Sequence, residues 1–300
     1  ALEVIGEGRT YPMLYNDDVN VQAVMNAFSV SEEEAEQYMP FGCGEYIIDH
    51  KSFGSPNGVI NLLKALEITL HNGREVIYGR EMGLKLGEFE DFKTFDQLYA
   101  ALKKQLRYYI EILAEQEALE YKSIGEITPF LFMSMLYDDC LERGKSMFSG
   151  GIKYLEGTLE CYGNTNTADS LAAIKELVYD KRLLTKEQML KALDADFEGY
   201  GRERKLMLSA PKFGNDNEFA DNIAKDLHNF VCNTIREQAK RVGLHTYLAV
   251  IINNAANTFL GNWTGASADG RKARGFMANG NNPTGGMDKK GVTAMLNSLV

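Results

Sequence analysis

Apolar residues recur along most of this chain at steps of three and four, which is the spacing of helices that bury one face. The clearest pattern covers residues 94–122, where Leu98, Leu102 and Leu106 mark one stripe and polar residues fill the opposite face. The same periodicity predicts further helices at 58–70, 128–143, 167–179, 185–200 and 217–241. Helices therefore dominate the predicted structure.

Two helix starts near the beginning of the chain carry capping signals. Asp17 and Asp18 precede the apolar positions of a short helix that ends at Phe28. Ser31 and Glu34 have the spacing of a capping box, in which each side chain binds the other residue's backbone N–H. A second, Glu-rich helical turn is therefore expected directly after the first helix.

Strand signals are scarcer than helix signals. The β-branched, apolar run over 246–252 predicts one strand, and residues 76–78 predict a second, short one. Asn72-Gly73 is a turn signal that ends the predicted helix at 58–70. Glycine-rich loops separate the elements at 149–151, 261–270 and 280–291. Helices with intermittent strands and ordered loops predict a mixed, helix-rich α/β fold.

Composition and charge narrow the class of partner. Of the 300 residues, 45% are hydrophobic and 25% are charged, as in an ordinary folded protein. The formal net charge is −10, from 32 basic and 42 acidic residues, and no dense Lys/Arg run offsets it. Nucleic acids and membranes are therefore not expected as partners, whereas a small-molecule substrate is. No apolar run approaches the length of a membrane-spanning helix, about 18 residues.

The four cysteines, Cys43, Cys140, Cys161 and Cys232, lie far apart along the chain. They lack the C-x-x-C spacing of zinc and thioredoxin-type sites, and they lack the density of a disulfide-stapled domain. The histidines likewise show no metal-ligand spacing. We therefore predict no metal site and a reducing, cytoplasmic environment.

The most informative segment is Phe41-Gly42-Cys43-Gly44-Glu45, which places a thiol between two glycines with a carboxylate two residues on. The flanking glycines allow a tight turn and leave space for a ligand to approach the sulfur. A carboxylate in the same loop could donate a proton to that ligand or accept one. Taken alone, the string is equally well explained by a buried thiol and a solvated carboxylate.

Sequence blocks along the whole chain resemble the glycyl radical enzymes, the family of pyruvate formate-lyase and of several dehydratases, lyases and arylacetate decarboxylases. Gly42-Cys43-Gly44-Glu45 resembles the thiyl-radical cysteine loop of that family. Other blocks follow in the family's order, at residues 8–12, 16–18, 150–154, 169–175, 193–200, 211–216, 268–273 and 282–289. Agreement over so many ordered blocks is not expected by chance.

The resemblance implies a ten-stranded α/β barrel surrounded by helices, with the cysteine loop at its centre. Residues 1–300 would form a central-to-late part of one large barrel domain of the pyruvate formate-lyase type. The N-terminal half and the C-terminal glycine radical domain would be absent, since the sequence contains no Arg-x-x-Gly-Tyr string, and Arg271 to Gly275 is one residue too long. The chain also begins at Ala1 inside a patterned segment, which favours the interpretation as a piece of a longer chain, inactive alone.

The resemblance also implies the chemistry. Cys43 would carry a thiyl radical that takes a hydrogen atom from a small organic substrate, and Glu45 would act as general acid or base. No cofactor would be bound. Instead, an S-adenosylmethionine-dependent activating enzyme would install an organic radical on a glycine outside this chain, and the full-length protein would be a cytoplasmic homodimer. No basic residue lies closer to Cys43 in sequence than His50 and Lys51, so a neutral thiol is expected.

The residue beside the cysteine favours one branch of the family. Formate-lyases use two adjacent cysteines for acetyl transfer, whereas the neighbour of Cys43 is Gly44. A Cys-x-Glu pair resembles the dehydratases, lyases and arylacetate decarboxylases, and we place elimination ahead of decarboxylation. Cleavage of a C–O, C–N or C–C bond therefore ranks first. Formate C-acetyltransfer, arylacetate decarboxylation and an inactive truncated homologue stay as alternatives.

One departure from the family concerns the residues that would hold the substrate. Eliminating members follow Cys-x-Glu with a proline and, later in the same loop, with an aspartate that holds a substrate hydroxyl. Tyr46 and Asn57 occupy those places here. Asn57 can donate and accept a hydrogen bond but cannot take a proton. We therefore predict Asn57 and His50 as substrate-binding residues, with Asp49 as a further candidate.

Overall fold

The computed structural model describes residues 3, 6–7, 15–42, 44–251 and 254–299, so Cys43 and the predicted strand residue Ile252 lie outside the described residues. The helices α1 to α12 are, in chain order, Asp17–Phe28, Glu32–Ala35, Leu62–Leu70, Phe95–Ile127, Leu131–Ser134, Cys140–Arg143, Asn164–Ile174, Lys186–Asp194, Gly201–Ser209, Glu218–Val242, Ala256–Asn262 and Val292–Leu299. The strands β1 to β6 are Tyr38–Phe41, Glu45–Ile48, Ser52–Phe53, Pro56–Asn61, Tyr154–Tyr162 and Thr246–Ile251. Short 3₁₀ helices lie at Phe89–Asp91 and Met147–Ser149, and a π-helical turn at Lys175–Asp180.

Contacts divide the chain into two compact units. The first comprises Ala1–Gly54 and Lys122–Glu156, and the second comprises Ser55–Tyr121 and Gly157–Val300. In the first unit, β1 and β2 form an antiparallel hairpin, and β3 pairs in parallel with the start of β5. In the second unit, β4 runs parallel to the rest of β5, and β6 also pairs with β5. The predicted helix-rich α/β class is therefore confirmed.

The hydrophobic core of the second unit lies where its strands meet the surrounding helices. A buried cluster there consists of Leu63, Tyr162, Val250 and Met277. The long helix α10 packs against both β6 and α7. Its start is fixed by the side chain of Asn217, which accepts hydrogen bonds from the first turn, and its end by Gly243 in a left-handed conformation. Parallel strands with helices packed on them fit part of an α/β barrel.

The strongest helix predictions are confirmed. Helix α4 contains the whole stripe predicted over 94–122, and α10 matches the predicted 217–241 closely. Ser31 Oγ accepts a hydrogen bond from the N–H of Glu34 at 3.3 Å and so caps α2 as predicted. The Glu34 carboxylate instead accepts from Lys153 and Tyr154, so only the Ser31 half of the predicted capping box is seen. The cap of α1 differs by one residue, because Asn16 accepts from Asp18 and both aspartates lie inside the first turn.

The helix predicted over 58–70 is wrong in its first part. Residues up to Asn61 form β4, which pairs with β5, and only then does α3 begin. Asn61 accepts a hydrogen bond from the N–H of Lys64 at 3.0 Å, so it caps α3 at that point. The prediction over 167–179 lies within one continuous helical run, since the π-helical turn Lys175–Asp180 directly follows α7. The prediction over 185–200 overruns, because α8 stops at Asp194.

The helix predicted over 128–143 is replaced by two single turns, α5 and α6. Pro129 lacks an N–H and disfavours continuation of α4. Asp139 has φ +72°, a left-handed conformation that a continuous helix does not contain. At the end of α5, Ser134 Oγ accepts the N–H of Met147 at 3.0 Å, which ties the segment to the 3₁₀ helix Met147–Ser149.

The strand predicted over 76–78 is a turn. The carboxylate of the buried Glu75 accepts the N–H groups of Ile77, Tyr78 and Arg80 at 2.9 to 3.1 Å. Lys64 adds its ammonium at 3.2 Å. The chain therefore wraps around one side chain and leaves no N–H groups for a neighbouring strand.

The Asn72-Gly73 turn ends α3 as predicted, with both residues at positive φ. The Asn72 side chain is held at both ends: its amide donates to Glu88 Oε1 at 2.8 Å and its oxygen accepts the N–H of Gly87 at 3.0 Å. The N–H of Gly73 donates to the carbonyl of Ile68 at 2.8 Å. Among the described residues, no helix is long and apolar enough to cross a membrane.

Candidate active site

The hairpin of β1 and β2 forms the candidate site in the first unit. Phe41 pairs with Glu45, so the loop between the strands is Gly42-Cys43-Gly44. The N–H of Gly44 donates to the carbonyl of Phe41 at 3.2 Å. Gly42 has φ +58° and Gly44 has φ +116°, conformations that side chains disfavour. The two glycines therefore make the tight turn that the sequence predicted, and Cys43 itself lies outside the described residues.

Glu45 begins β2, and its side chain turns back over the loop. The residue is only 3% exposed. A Cβ atom at Gly42 would lie 2.9 Å from Glu45 Oε2, so the carboxylate occupies the space that a side chain at position 42 would fill. The carboxylate therefore lies against the residue that directly precedes Cys43. A buried acid or base beside a loop of this kind is suited to proton transfer on a bound ligand.

Tyr46, which stands where the family often has proline, ties the hairpin to α1. Its hydroxyl donates to Asn20 Oδ1 at 3.0 Å, and the Asn20 amide donates to the Tyr38 hydroxyl at 3.3 Å. The Tyr38 and Tyr46 rings meet edge to face at 5.4 Å. Burial raises the pKa of Tyr46, so its phenol stays neutral. Since neighbouring residues of a strand point to opposite faces, these contacts leave Glu45 on the other face.

Aromatic side chains hold the strand that leads into the loop. The Phe53 ring lies 5.8 Å from Phe41, 6.2 Å from Tyr137 and 5.6 Å from Phe148, each time edge to face. Edge-to-face contacts of this kind stabilise by about 1 kcal/mol each beyond their buried area. Phe41, the last residue before Gly42, is thereby fixed from the side of β3.

His50 lies at the far end of β2 from Glu45, in the turn that follows the strand. The four residues of β2 span about 10 Å. The His50 ring is 62% exposed, and its Nδ1 donates to the carbonyl of Leu136 at 2.9 Å. This bond and the charge of Asp49 raise the pKa of His50. The structure thus does not bring His50 beside Glu45, and its substrate-binding role stays a prediction.

Asn57 lies in β4 of the second unit. The residue is half-buried, and its N–H donates to the carbonyl of Ser55 at 3.0 Å. Its predicted role in substrate binding also stays a prediction.

Glu156, a fully buried carboxyl in the first unit, was not among the residues predicted from the sequence. Ser52, also fully buried, lies in β3, which pairs with the start of β5. Burial raises the pKa of Glu156 to about 8, and the nearby Ser52 offsets only part of that shift. The available signal was the pair of glutamates, Glu156 and Glu160, within the strand-like run Tyr154–Tyr162, where a charge would be costly to bury.

In the second unit, several of the blocks that resemble the family meet in one buried polar network. The Asn166 amide donates to Asp269 Oδ2 at 2.7 Å, and the Ser267 hydroxyl donates to Oδ1 at 2.5 Å. Asp169 accepts the N–H of Phe213 at 2.8 Å. Burial raises the pKa of Asp169 to about 7. This network joins segments far apart in sequence, which suits a structural role.

A cavity of about 430 Å³ in the second unit is lined by Cys161, His228 and Cys232, among others. The Cys232 sulfur lies 3.5 Å from His228 Nε2. Burial raises the pKa of both thiols and lowers that of His228, so none of the three is charged near neutral pH. A nucleophilic cysteine needs a lowered pKa, and this pair therefore has no activated thiolate.

Comparison with known proteins finds several relatives of this chain. Over 299 residues the chain is 33% identical to trans-4-hydroxy-L-proline dehydratase of Clostridioides difficile, covering 99% of this chain and 38% of that protein. It is 30% identical over 305 residues to (2S)-3-sulfopropanediol dehydratase of Klebsiella oxytoca, covering 99% and 37%. The structure of the B12-independent glycerol dehydratase of Clostridium butyricum matches with a TM-score of 0.92 at 30% identity, covering 98% of this chain and 37% of that one.

The chain thus spans little more than a third of the length of these relatives. The model of the family described as pyruvate formate lyase-like matches residues 1–261, which include the hairpin, β5 and α10. This chain belongs to the pyruvate formate lyase-like family.

Proposed function

We propose that this chain supplies the cysteine loop and its acid–base residue to a glycyl radical dehydratase or lyase that acts on a small organic substrate. The observation that supports this proposal most directly is the position of the Glu45 carboxylate. It is buried and lies against Gly42, the residue that directly precedes Cys43 in the chain. Membership of the pyruvate formate lyase-like family and the similarity to two dehydratases support the same assignment.

The proposed reaction begins at Cys43. As a thiyl radical it takes a hydrogen atom from a substrate carbon, so that an S–H bond forms as the C–H bond breaks and the unpaired electron passes to that carbon. The group on the adjacent carbon then leaves. In a dehydration, the leaving hydroxyl takes up a proton from Glu45 and departs as water, while the O–H or N–H group on the radical carbon returns a proton to Glu45, so that a neutral product radical with a new C=O or C=N bond is left. The product radical recovers a hydrogen atom from the Cys43 thiol, which restores the thiyl radical.

Glu45 moves the proton in this scheme. Its carboxyl lies beside the loop and out of bulk water, where a proton transferred to a leaving hydroxyl is not intercepted by solvent. The organic radical that creates the thiyl radical would come from a glycine outside this chain, installed by an S-adenosylmethionine-dependent activating enzyme. Asn57 and His50 are retained as candidates for holding the substrate. We place the protein in the cytoplasm, as a homodimer.

We favour elimination of water over decarboxylation, because the relatives named above are dehydratases of hydroxylated substrates. Gly44 supports this branch as well, since acetyl transfer to formate would use a second cysteine at that position.

The test uses the polypeptide that contains this chain, activated anaerobically by its activating enzyme. Hydroxyproline, glycerol, sulfopropanediol and 4-hydroxyphenylacetate are offered separately. We expect an organic radical in the electron paramagnetic resonance spectrum and loss of water from a hydroxylated substrate. The Cys43→Ser variant should keep the radical and lose turnover, and Glu45→Gln should lower kcat by about 100-fold or more.

Matched controls are available on other cysteines. Cys140→Ser replaces a buried thiol of the same unit and should leave turnover unchanged. Undiminished turnover in Cys43→Ser would contradict the proposal. Release of carbon dioxide from the arylacetate instead of water from a hydroxylated substrate would move the assignment to the decarboxylases.

A further inference from the structure

Side chains on the two faces of the β1–β2 hairpin have different partners. Neighbouring residues of a strand point to opposite faces, so Tyr46 lies on the face opposite Glu45. Phe41 pairs with Glu45 and shares its face, and Tyr38, three positions earlier, lies on the other. The rings of Tyr38 and Tyr46 meet there at 5.4 Å. The face opposite Glu45 is therefore the one that contacts α1.

A chain of three hydrogen bonds joins that face to α1. The Tyr46 hydroxyl donates to Asn20 Oδ1 at 3.0 Å, and the Asn20 amide donates to the Tyr38 hydroxyl at 3.3 Å. The Tyr38 hydroxyl donates to Asp17 Oδ1 at 2.5 Å. Asn20 and Asp17 both belong to α1, so the chain crosses between the helix and the hairpin at every step and holds both strands.

The direction of this chain is fixed by its end. A carboxylate only accepts hydrogen bonds, so the single proton of the Tyr38 hydroxyl goes to Asp17. Tyr38 must then accept from Asn20, which turns the amide nitrogen towards Tyr38 and leaves the amide oxygen for Tyr46. Asn20 therefore donates to one strand and accepts from the other, which neither a carboxylate nor an aliphatic side chain at this position can do.

The hairpin needs support from outside. β1 and β2 have four residues each and form a two-stranded sheet of their own. A two-stranded hairpin alone is marginally stable at best in water. Pro40, which pairs with Tyr46, has no N–H to donate to β2. The hydrogen bond from Tyr46 to α1 thus lies where the backbone of β1 offers one donor fewer.

We propose that Asn20 is a positioning residue for Glu45. By joining Tyr46 to Tyr38 it holds both strands against α1. Tyr46 directly follows Glu45, so the place of β2 on α1 sets the direction from which the Glu45 carboxylate reaches Gly42. This role rests on the proposed function, because a fixed direction matters only if Glu45 transfers a proton.

The connection itself is tested by hydrogen exchange at the Gly44 amide, which donates to the Phe41 carbonyl across the turn. The measurement uses the polypeptide that contains this chain. Asn20→Ala should speed this exchange about tenfold, because it removes both hydrogen bonds of the amide. Gln22→Ala is the matched control, since it removes an exposed amide from the same helix and should leave the exchange unchanged. Unchanged exchange in Asn20→Ala would overturn the inference.

An exchange of two side chains tests the direction of the chain. In Asn20→Asp, two carboxylates face the one proton of the Tyr38 hydroxyl, so a bond is lost and the Gly44 amide should exchange severalfold faster. Adding Asp17→Asn reverses the chain, because the carboxylate at position 20 accepts from both phenols and the amide at position 17 donates to Tyr38. The double variant keeps the composition and charge of the wild type and should return the exchange to within about twofold. Equal exchange in the double variant and in Asn20→Asp would overturn the inference.

The consequence for the reaction is tested in the activated, radical-bearing protein. Asn20→Ala should lower kcat about tenfold at unchanged radical content and nearly unchanged KM. The double variant should keep most of the wild-type kcat, and Gln22→Ala should keep all of it.

The two proposals fail separately. Absence of any turnover in the activated wild type would defeat the proposed function, while the Gly44 exchange would still report on the connection through Asn20. A strong effect of Glu45→Gln on kcat together with no effect of Asn20→Ala would defeat the positioning role and leave the function standing.

Discussion

Glu156 in the first unit and Glu75 in the second are the same residue type, and both are buried, yet their pKa values move in opposite directions. Burial raises the pKa of Glu156 to about 8. Burial also raises that of Glu75, but the N–H of Arg80, the ammonium of Lys64 and the N–H of Tyr78 outweigh it and bring the value to about 2. The difference lies in the donors that surround each carboxyl.

This contrast separates two uses of a buried acid. The charged carboxylate of Glu75 accepts the backbone N–H groups that fold the 75–80 turn, so its charge stabilises the structure. For Glu156 burial is the dominant influence, and it holds the carboxyl in its uncharged form near neutral pH. Burial alone therefore does not say whether a carboxyl is charged, and the count and type of donors do.

The largest expected effect on stability is that of Glu75→Gln. An amide cannot accept all of the N–H groups that fold the 75–80 turn, and Lys64 loses one of its two carboxylate partners, so the free energy of unfolding should fall by about 2 kcal/mol or more. Urea unfolding at pH 7 measures it. Glu81→Gln, on an exposed pair with Lys85 near the same turn, is the control and should change nothing measurable.

The pH dependence of this effect has a definite sign. The folded pKa of Glu75 lies below the ordinary 4.5, so its contribution to stability is present above pH 4.5 and is lost as pH falls towards 2. Below pH 4.5, the free energy of unfolding of Glu75→Gln should therefore fall less steeply with falling pH than that of the wild type. An identical fall in the two proteins would contradict the contrast between Glu75 and Glu156.

The opposite dependence is expected for Glu156. Its folded pKa lies above 4.5, so its contribution is fully present below that pH and is lost as pH rises towards 8. The slope is at most about 1.4 kcal/mol per pH unit. Glu156→Gln removes this slope. Asp169 and Glu117 also carry raised pKa values, but both residues are present in wild type and variant. The difference in free energy of unfolding between the two proteins therefore reports the pH dependence due to Glu156.

A smaller effect is expected at the glycine beneath Glu45. Gly42→Ala introduces a Cβ atom at positive φ and displaces the carboxylate, and it should lower the free energy of unfolding by about 2 kcal/mol. Gly144 has nearly the same φ, +60°, with open space around it, so Gly144→Ala should cost about 1 kcal/mol. Equal costs in urea unfolding would show that the carboxylate does not occupy this space.

The smallest expected effect concerns the attachment of the hairpin to α1. Tyr46→Phe removes the hydroxyl that donates to Asn20 and should cost about 1 kcal/mol. A double-mutant cycle with Asn20→Ala measures the coupling directly. An additive cycle would mean that the Tyr46–Asn20 hydrogen bond does not contribute to this attachment.

The sequence predicted the long helices and the local caps, because their signals lie within a few residues of each other. Helix α4 shows its stripe over several turns, and the Ser31–Glu34 cap is complete in four residues. The short strands were not predicted from the sequence, because β4 is defined by its pairing with β5, whose residues lie far along the chain. No local pattern distinguishes a strand of six residues from the first turn of a helix in such a case.

For the candidate site, the spacing of Cys43 and Glu45 predicted a carboxylate near the thiol loop. The register of the hairpin, which turns that carboxylate over Gly42, could not be predicted, since neither strand had been recognised. Glu156 was missed for a related reason, because it lies buried where β3 pairs in parallel with β5, and that pairing joins residues about 100 positions apart in the sequence.

The Asn72-Gly73 turn has a consequence for chemical ageing. Asn-Gly sequences lose ammonia when the glycine nitrogen attacks the asparagine side chain, a reaction that needs both groups to be free to move. Here the side chain is held by Glu88 and Gly87, and the glycine N–H is bound to Ile68. The folded chain should therefore deamidate slowly at Asn72 on storage, and mass spectrometry should find the modification chiefly in protein that has first been unfolded.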